Sequence, residues 1–353
     1  MSTLKINTLS NGGSAIDFPN SFNIGGNPIE QGYTSSGTEP SSPATGDIWW
    51  DSTNEKLYQY LNSEFKEITT IVPVAFYGDR ALFAGAQSDT DGIEYFSIST
   101  DTSSTSFGNL TNPGYQLSSV SNGTYGVFAG GQATVRQTVI DYVTIATAAD
   151  AADFGDLISS SQEQASASDG TYGIFAGGNR GNAIDYITIA TPANSTDFGD
   201  LIASLNYGPA GISNSVYGVI AGGFTGTNSN IIQYVTLATP SNATDFGDLT
   251  VGRNSCAGAS DDTRGLIFGG YNSGNRNEID YITISTPSNA TDFGDLITAS
   301  TPAAAASDGT TAITTRQGMV ATQKVTIQTT GNAANGISLT YDHRLGTAIS
   351  GNA

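Results

Sequence analysis

The tripeptide Asp-Phe-Gly, whose carboxylate can hold magnesium in phosphoryl transfer, occurs four times in this 353-residue chain, inside DFGDL at 153–157, 197–201, 245–249 and 292–296. No glycine-rich phosphate loop with a paired lysine precedes these copies and there is no His-Arg-Asp loop, so phosphoryl transfer lacks its other parts. A Ser-His-acid triad would have to use His343, the one histidine. With Cys256 the one cysteine, no intramolecular disulfide can form, and a zinc or copper site cannot be assembled from one chain. The turn QSDTDG at 87–92 offers the oxygen ligands calcium takes, but it falls short of an EF-hand loop. No isolated carboxylate pair stands out for glycoside hydrolysis. The reading expects no catalytic residue, no metal and no cofactor.

Composition narrows the partners. Against 32 Asp and Glu stand 12 Lys and Arg, a net charge of -20, with no basic run to neutralise a phosphate backbone or an anionic membrane surface. No stretch approaches the ~18 consecutive apolar residues of a spanning helix. MSTLKINTLSNGG lacks the apolar core of a secretory signal, so a soluble protein is expected. Only 12% of residues are charged and 43 are glycine, a balance that favours short strands joined by tight turns.

The elements that must position any site come from a repeat of about 47 residues. A run into small residues recurs as ALFAGA (81–86), GVFAGG (126–131), GIFAGG (173–178), GVIAGG (218–223) and GLIFGG (265–270). An alternating run follows as IEYFSIST (93–100), IDYVTIAT (140–147), IDYITIAT (184–191), IQYVTLAT (232–239) and IDYITIST (279–286). SFGNL (106–110) and the four DFGDL copies form a third piece, and small polar segments such as QASASDG and CAGASDD precede the first. Each piece is short, period-two or small-residue, and bounded by Gly, Asn, Asp or Pro, which reads as four strands per unit. Four-stranded units in series make an all-β propeller.

These residues resemble the kelch family, whose blade carries a Gly-Gly pair, a downstream Tyr and then a Trp. Here Gly177, Gly178, Tyr186 and Phe198 stand in that order, as do Gly222, Gly223, Tyr234 and Phe246, and Gly269, Gly270, Tyr281 and Phe293, with Phe in place of Trp. The resemblance implies fold and leaves activity open. The Gly pairs are read as turns with positive φ and the Tyr and Phe rings as wedges between blades. SDGT at 168–171 and 307–310 is similar to the Asp-box of sialidase propellers, but Asp169 adjoins Gly170 and Tyr172 stands where Trp would, so a tight turn is expected.

A sixth unit keeps the spacing and loses the motif: SDGTTAITTR at 307–316, Lys324 in place of Tyr, and GNAANGISL at 331–339. TAISGNA at 347–353 matches an innermost strand with no blade after it, and completes blade one. The expected architecture is therefore a six-bladed, kelch-like β-propeller over 73–353, closed by the C-terminal strand.

Residues 1–72 carry no repeat. An extended arm is expected at 1–45, and an aromatic β-hairpin module at 46–72 whose Trp49, Trp50, Tyr58 and Tyr60 need a surface to cover. STLKINTLSNGGSAIDFPNSF and the GDIWWDSTNEKLYQY stretch resemble N-terminal regions of tail-fibre and appendage proteins of bacterial viruses, particularly marine phages. The resemblance implies attachment to other virion proteins through 1–72, location on the virion, and a homotrimer through this region. The propeller would then be held outward to meet a host-surface glycan or protein. The alternatives are a decoration protein of capsid or tail without a ligand and a glycan-degrading enzyme. Candidate ligand residues are those that break the repeat on the loops: Tyr207, Arg253 and Asn254 before innermost strands, and Arg180, Phe224, Tyr271 and Arg276 after glycine pairs. Aromatic rings with Arg and Asn suit sugars.

Overall fold

The computed structural model describes residues 22–24, 27–29, 33–43, 47–51, 53, 56–61 and 64–67 of the N-terminal part, and 77–352 except 87–89, 101–102, 303, 317–319, 342 and 344–345. The chain divides into two compact units, Met1–Val72 and Pro73–Ala353. Among the described residues no helix is long and apolar enough to cross a membrane.

The second unit is a β-propeller of six four-stranded antiparallel blades. Blades two to six follow chain order from innermost to outermost strand, beginning at Ser118–Ser121, Ala165–Ser168, Ala210–Ser213, Ala257–Ser260 and Ala305–Ser307. Blade one takes its innermost strand, Thr347–Gly351, from the C-terminus, paired antiparallel with Arg80–Ala86 from Thr347↔Ala84 to Gly351↔Arg80. Each innermost strand packs against those of the blades on either side, which closes the ring.

Small residues make that tight centre. Each innermost strand carries a serine at the same level: Ser121, Ser168, Ser213, Ser260, Ser307 and Ser350. The hydroxyls stitch blade to blade: Ser121 Oγ donates to Ser350 O (2.8 Å), Ser168 Oγ to Ser121 O (2.9 Å) and Ser260 Oγ to Ser213 O (2.7 Å). The following Asn or Asp closes the turn to the second strand, as when Asp169 Oδ1 accepts the Thr171 and Tyr172 N–H groups at 2.8 and 2.7 Å. SDGT is thus an Asx turn.

Within blades three to five the outer Tyr–Phe pair meets edge to face, with centroids 5.6 Å apart for Tyr186–Phe198, 5.8 Å for Tyr234–Phe246 and 6.2 Å for Tyr281–Phe293. Phe198 and Leu201 of blade three bury against Ile220, Val235 and Leu237 of blade four, and the junctions after blades two and four repeat this. The glycine of DFGDL has its own reason. Gly199 has φ +142°, and a Cβ there would lie 2.6 Å from Ser241 O in the next blade's turn, which caps the outer edge. Ala243 N donates to Asp200 O (2.8 Å) and Asp200 N to Asn242 Oδ1 (3.0 Å), so the edge strand is covered by its neighbour.

Blade six lacks the aromatic pair, and its neighbour fills the space. Phe96 of blade one stands where the other blades have Val or Ile, stacks on Phe83 at 5.6 Å, and joins Ile337 and Leu339 in one buried cluster.

In the N-terminal unit the expected hairpin pairs Ile48–Asp51 with Lys56–Leu61, and further strands lie beside it. Phe22–Ile24 pairs antiparallel with Asn27–Ile29 inside the segment read as extended. Tyr33–Ser36 runs parallel to Ile48–Asp51, making a four-stranded mixed sheet with Lys56–Leu61 and Glu64–Glu67. The reason is Trp49: its buried indole N–H needs an acceptor, and Ser36 O supplies it at 3.2 Å, while Tyr58 stacks on the ring at 5.0 Å. Tyr60 packs edge-on against Phe65. The arm at 1–21 and the Trp50 side chain lie outside the described residues.

Candidate functional site

The third strand of every blade carries one buried polar side chain at the same position: Glu94, Asp141, Asp185, Gln233, Asp280 and Gln323. Each accepts the backbone N–H of the residue that leaves the preceding blade. The donors are Thr340 (2.8 Å), Thr111 (2.8 Å), Ile158 (3.3 Å), Ile202 (2.6 Å), Thr250 (3.0 Å) and Ile297 (2.8 Å), in that order. This is a six-fold inter-blade latch. Its sequence signal is the persistent acid or amide between Ile and Tyr of the alternating run, which the repeat reading passed over.

Charge decides how each latch is completed, because a carboxylate taken from water needs a partner. Arg253, 0% exposed, donates to Asp280 Oδ2 (2.9 Å), Gly269 O (2.7 Å) and Val251 O (3.1 Å). Arg180 pairs with Asp185 Oδ2 at 2.5 Å. His343 lies between Glu94 Oε1 (2.6 Å) and Gly85 O (2.5 Å). Burial alone would raise the Glu94 pKa, but hydrogen bonds from His343, Ser104 and the Thr340 N–H, with the charge of His343, bring it to about 2. Blades four and six use neutral Gln. Ser104, partly exposed, bonds the carboxylate and not the imidazole, so this Ser, Glu and His set has no activated nucleophile.

Asp141 differs: among the described residues no cation pairs with it, and its oxygens accept the Thr111 N–H and hydroxyl (2.7 Å). Burial pushes its pKa above the usual carboxylate range, against the lowering by Thr111. A raised folded-state pKa means the folded protein gains as Asp141 protonates and loses as pH climbs through that value. Asp141→Asn is therefore expected to melt at or above the parent at neutral pH. The gain is less than about 1 kcal/mol, because the amide must also place its own N–H, and it shrinks as pH is lowered. Thermal melts between pH 4 and 8 measure it; a variant less stable at every pH contradicts the account.

These latches remove two residues from the candidate ligand set. Arg253 and Arg180 are not surface groups: their guanidiniums turn inward because burying Asp280 and Asp185 requires counter-charge. Arg276 is partly exposed and held by Glu278 two residues on. Asn254 is half-buried; its Nδ2 donates to Asn228 Oδ1 (2.7 Å), and its backbone pairs with Tyr271. Phe224 backs Tyr207 edge-on at 5.5 Å. Tyr207 and Tyr271 are the exposed rings, at 55% and 45%. The Cys256 thiol is buried and pushed up to about 11 by that burial, so it is inert.

Both rings stand on the face that carries the connections between blades and the turns after the glycine pairs. Among the described residues, nine large hydrophobic side chains are exposed; Val135, Ile158, Ile202, Tyr207, Tyr271, Ile297, Val320 and Tyr341 share this face, and Val216 alone lies on the other. At its centre four connections place a non-glycine residue at left-handed φ just before an innermost strand: Gln116 (58°), Glu163 (57°), Tyr207 (56°) and Ser255 (53°). Neighbouring connections pair there, with Glu163 N to Gln116 O at 3.0 Å, Gly208 N to Glu163 O at 3.3 Å and Ser255 N to Tyr207 O at 2.9 Å. Left-handed φ costs a non-glycine residue on the order of 1 kcal/mol, so the side chains, and not the backbone, account for these four residue types. Behind the arc lies a cavity of ≈ 120 Å³ lined by Ser118, Ser119, Gln164 and Thr347 among others. Of the arc, sequence reasoning found Tyr207; Gln116, Glu163 and Ser255 were visible only as non-repeating residues at a repeating position.

Among the described residues no three His, Cys, Asp or Glu side chains gather to hold a metal, and part of QSDTDG lies outside them. Compared with known proteins, the chain matches no protein-family model and no curated protein sequence.

Proposed function

We propose that the chain is an appendage protein of a bacterial virus, joined to the particle through residues 1–72, whose propeller presents the connection face to a receptor on the host surface. The observation that carries the binding part is the concentration of exposed apolar side chains and of four strained, dissimilar residues on one face of an otherwise repeating ring. Exposed apolar side chains confined to one face make that face the candidate interaction surface, and strained backbone collects where function holds it. The resemblance of STLKINTLSNGG and GDIWWDSTNEKLYQY to fibre N-termini supports the virion part.

The exposed rings and neighbouring asparagines suit a glycan, which stacks on aromatic faces and bonds amides. Arg253 and Arg180 take no part. The ring of latched blades keeps this face rigid while its loops vary.

The test is adsorption. Labelled full-length protein is expected to bind host cells saturably and to slow adsorption of whole particles, and the double variant Tyr207→Ser/Tyr271→Ser is expected to lose at least half of that binding while melting within a few degrees of the parent. A folded protein that neither binds nor competes contradicts receptor binding and favours a decoration protein. Immunogold labelling of purified particles tests the virion part separately.

A further inference from the structure

We infer that the arc at the centre of the connection face is a binding site for an organic cation, an alkylammonium group seated between the Glu163 carboxylate and the Tyr207 ring. The two residues occupy equivalent left-handed positions in adjacent connections, and the Gly208 N–H to Glu163 O bond at 3.3 Å sets their backbones side by side.

The fully buried carboxylates of the third strands each have Arg, His or threonine donors beside them, Asp185 through its Oδ2. Glu163 is half-buried, and among the described residues its carboxylate accepts from the side-chain amide of Gln116. Among the described residues no Lys, Arg or His pairs with it. Burial raises its pKa, partly offset by the Gln116 bond, which is the behaviour of a carboxylate short of counter-charge. A cation brought by a ligand supplies what the chain does not.

Two further features accord with such a ligand. The Tyr207 ring is 55% exposed and offers the negative face of its π-system, which attracts ammonium groups at short range. Behind the arc the cavity of ≈ 120 Å³ is lined by hydroxyl-bearing Ser118, Ser119 and Thr347. Gln164 also lines it, is 7% exposed, and both its amide atoms are without a hydrogen-bond partner among the described residues. An unsatisfied buried amide is costly unless something bonds it, and an ammonium substituent carrying a hydroxyl or carbonyl can do so. The net charge of -20 raises the local concentration of cations at the surface.

The inference concerns the face assigned above to receptor binding but does not depend on it, because purified protein and a small probe suffice. Choline is titrated into the full chain by calorimetry and by NMR, with its neutral isostere 3,3-dimethyl-1-butanol as control. Saturable choline binding, no binding of the isostere, at least about tenfold weakening in Glu163→Gln, and about threefold in Tyr207→Leu are expected. Glu163→Gln keeps the size and the Gln116 contact, and its melting temperature verifies that it is folded. Absence of saturable choline binding, equal binding of the isostere, or a folded Glu163→Gln that binds as the parent does would each overturn the assignment. Host-cell binding lost with choline binding intact would overturn the receptor reading alone.

Discussion

Deletion of residues 347–353 is expected to leave a chain that does not fold cooperatively and aggregates. The segment is the innermost strand of blade one, in register over five residues with Arg80–Ala86. Its loss removes Ile349 from the cluster it shares with Leu82, Phe128 and Ile145. It also removes the Ser350 carbonyl that accepts Ser121 Oγ and the Thr347 hydroxyl 2.5 Å from Ser119 Oγ. Truncating one buried Ile typically costs about 2–5 kcal/mol. Adding five strand residues and two junctions brings the total near the whole stability of a domain, about 5–15 kcal/mol. The exposed second strand, RALFAGA, would then be a seven-residue edge buried at six positions in the intact ring, which templates association. Circular dichroism melts and light scattering read the outcome. Deletion of Ala353 alone serves as control. A truncated protein that melts like the parent would mean that the ring closes without this strand.

The second large effect belongs to the Arg253–Asp280 latch. Arg253→Met is expected to cost about 3–5 kcal/mol, because it strands a carboxylate that is 0% exposed. For a unit of this size that is a fall in melting temperature on the order of 10 °C. Adding Asp280→Gln should recover most of the loss, since blades four and six already run the same latch with Gln233 and Gln323 accepting the Ile202 and Ile297 N–H groups. The double-mutant cycle measured by urea unfolding separates the two cases. If the second substitution adds its own loss to the first, the pair is not acting as a unit and the latch is incorrectly assigned.

Glu94 has the opposite pH sense from Asp141. Its folded-state pKa is brought down to about 2, so its contribution is present above the ordinary carboxylate value and is lost as pH falls toward that lowered one. Blade one should therefore be the acid-labile junction, and hydrogen exchange of the Thr340 and Tyr341 amides, which donate to Glu94, at pH 3 against pH 6 would display it. Equal protection at both values would contradict this.

Residues 81–86, 93–100 and 106–110 and their copies are local patterns, and they determined four strands per unit, the blade count and the closing role of TAISGNA, because strand periodicity and turn chemistry are properties of contiguous residues. The DFGDL aspartates, which the sequence left without the other parts of a phosphoryl-transfer site, are exposed in blades two to four. The division of the N-terminal part was less legible. Tyr33–Ser36 joins its sheet in parallel across a long connection, and such pairing is set by what Trp49 needs to bury and bond rather than by its own sequence. The candidate site divides the same way. Tyr207 and Tyr271 could be picked as residues that break the repeat, but Arg253 sits beside Asn254 in the chain and looked equally free. Its partner Asp280 lies 27 residues on, and only the stacking of consecutive blades turns the guanidinium inward. That four residues of unlike type share one left-handed position in connections that pair with one another is again a fact of the closed ring. Strand pattern is written along the chain; which charge is neutralised and which is left facing solvent depends on blade-to-blade juxtaposition, and that exists only once the propeller has formed.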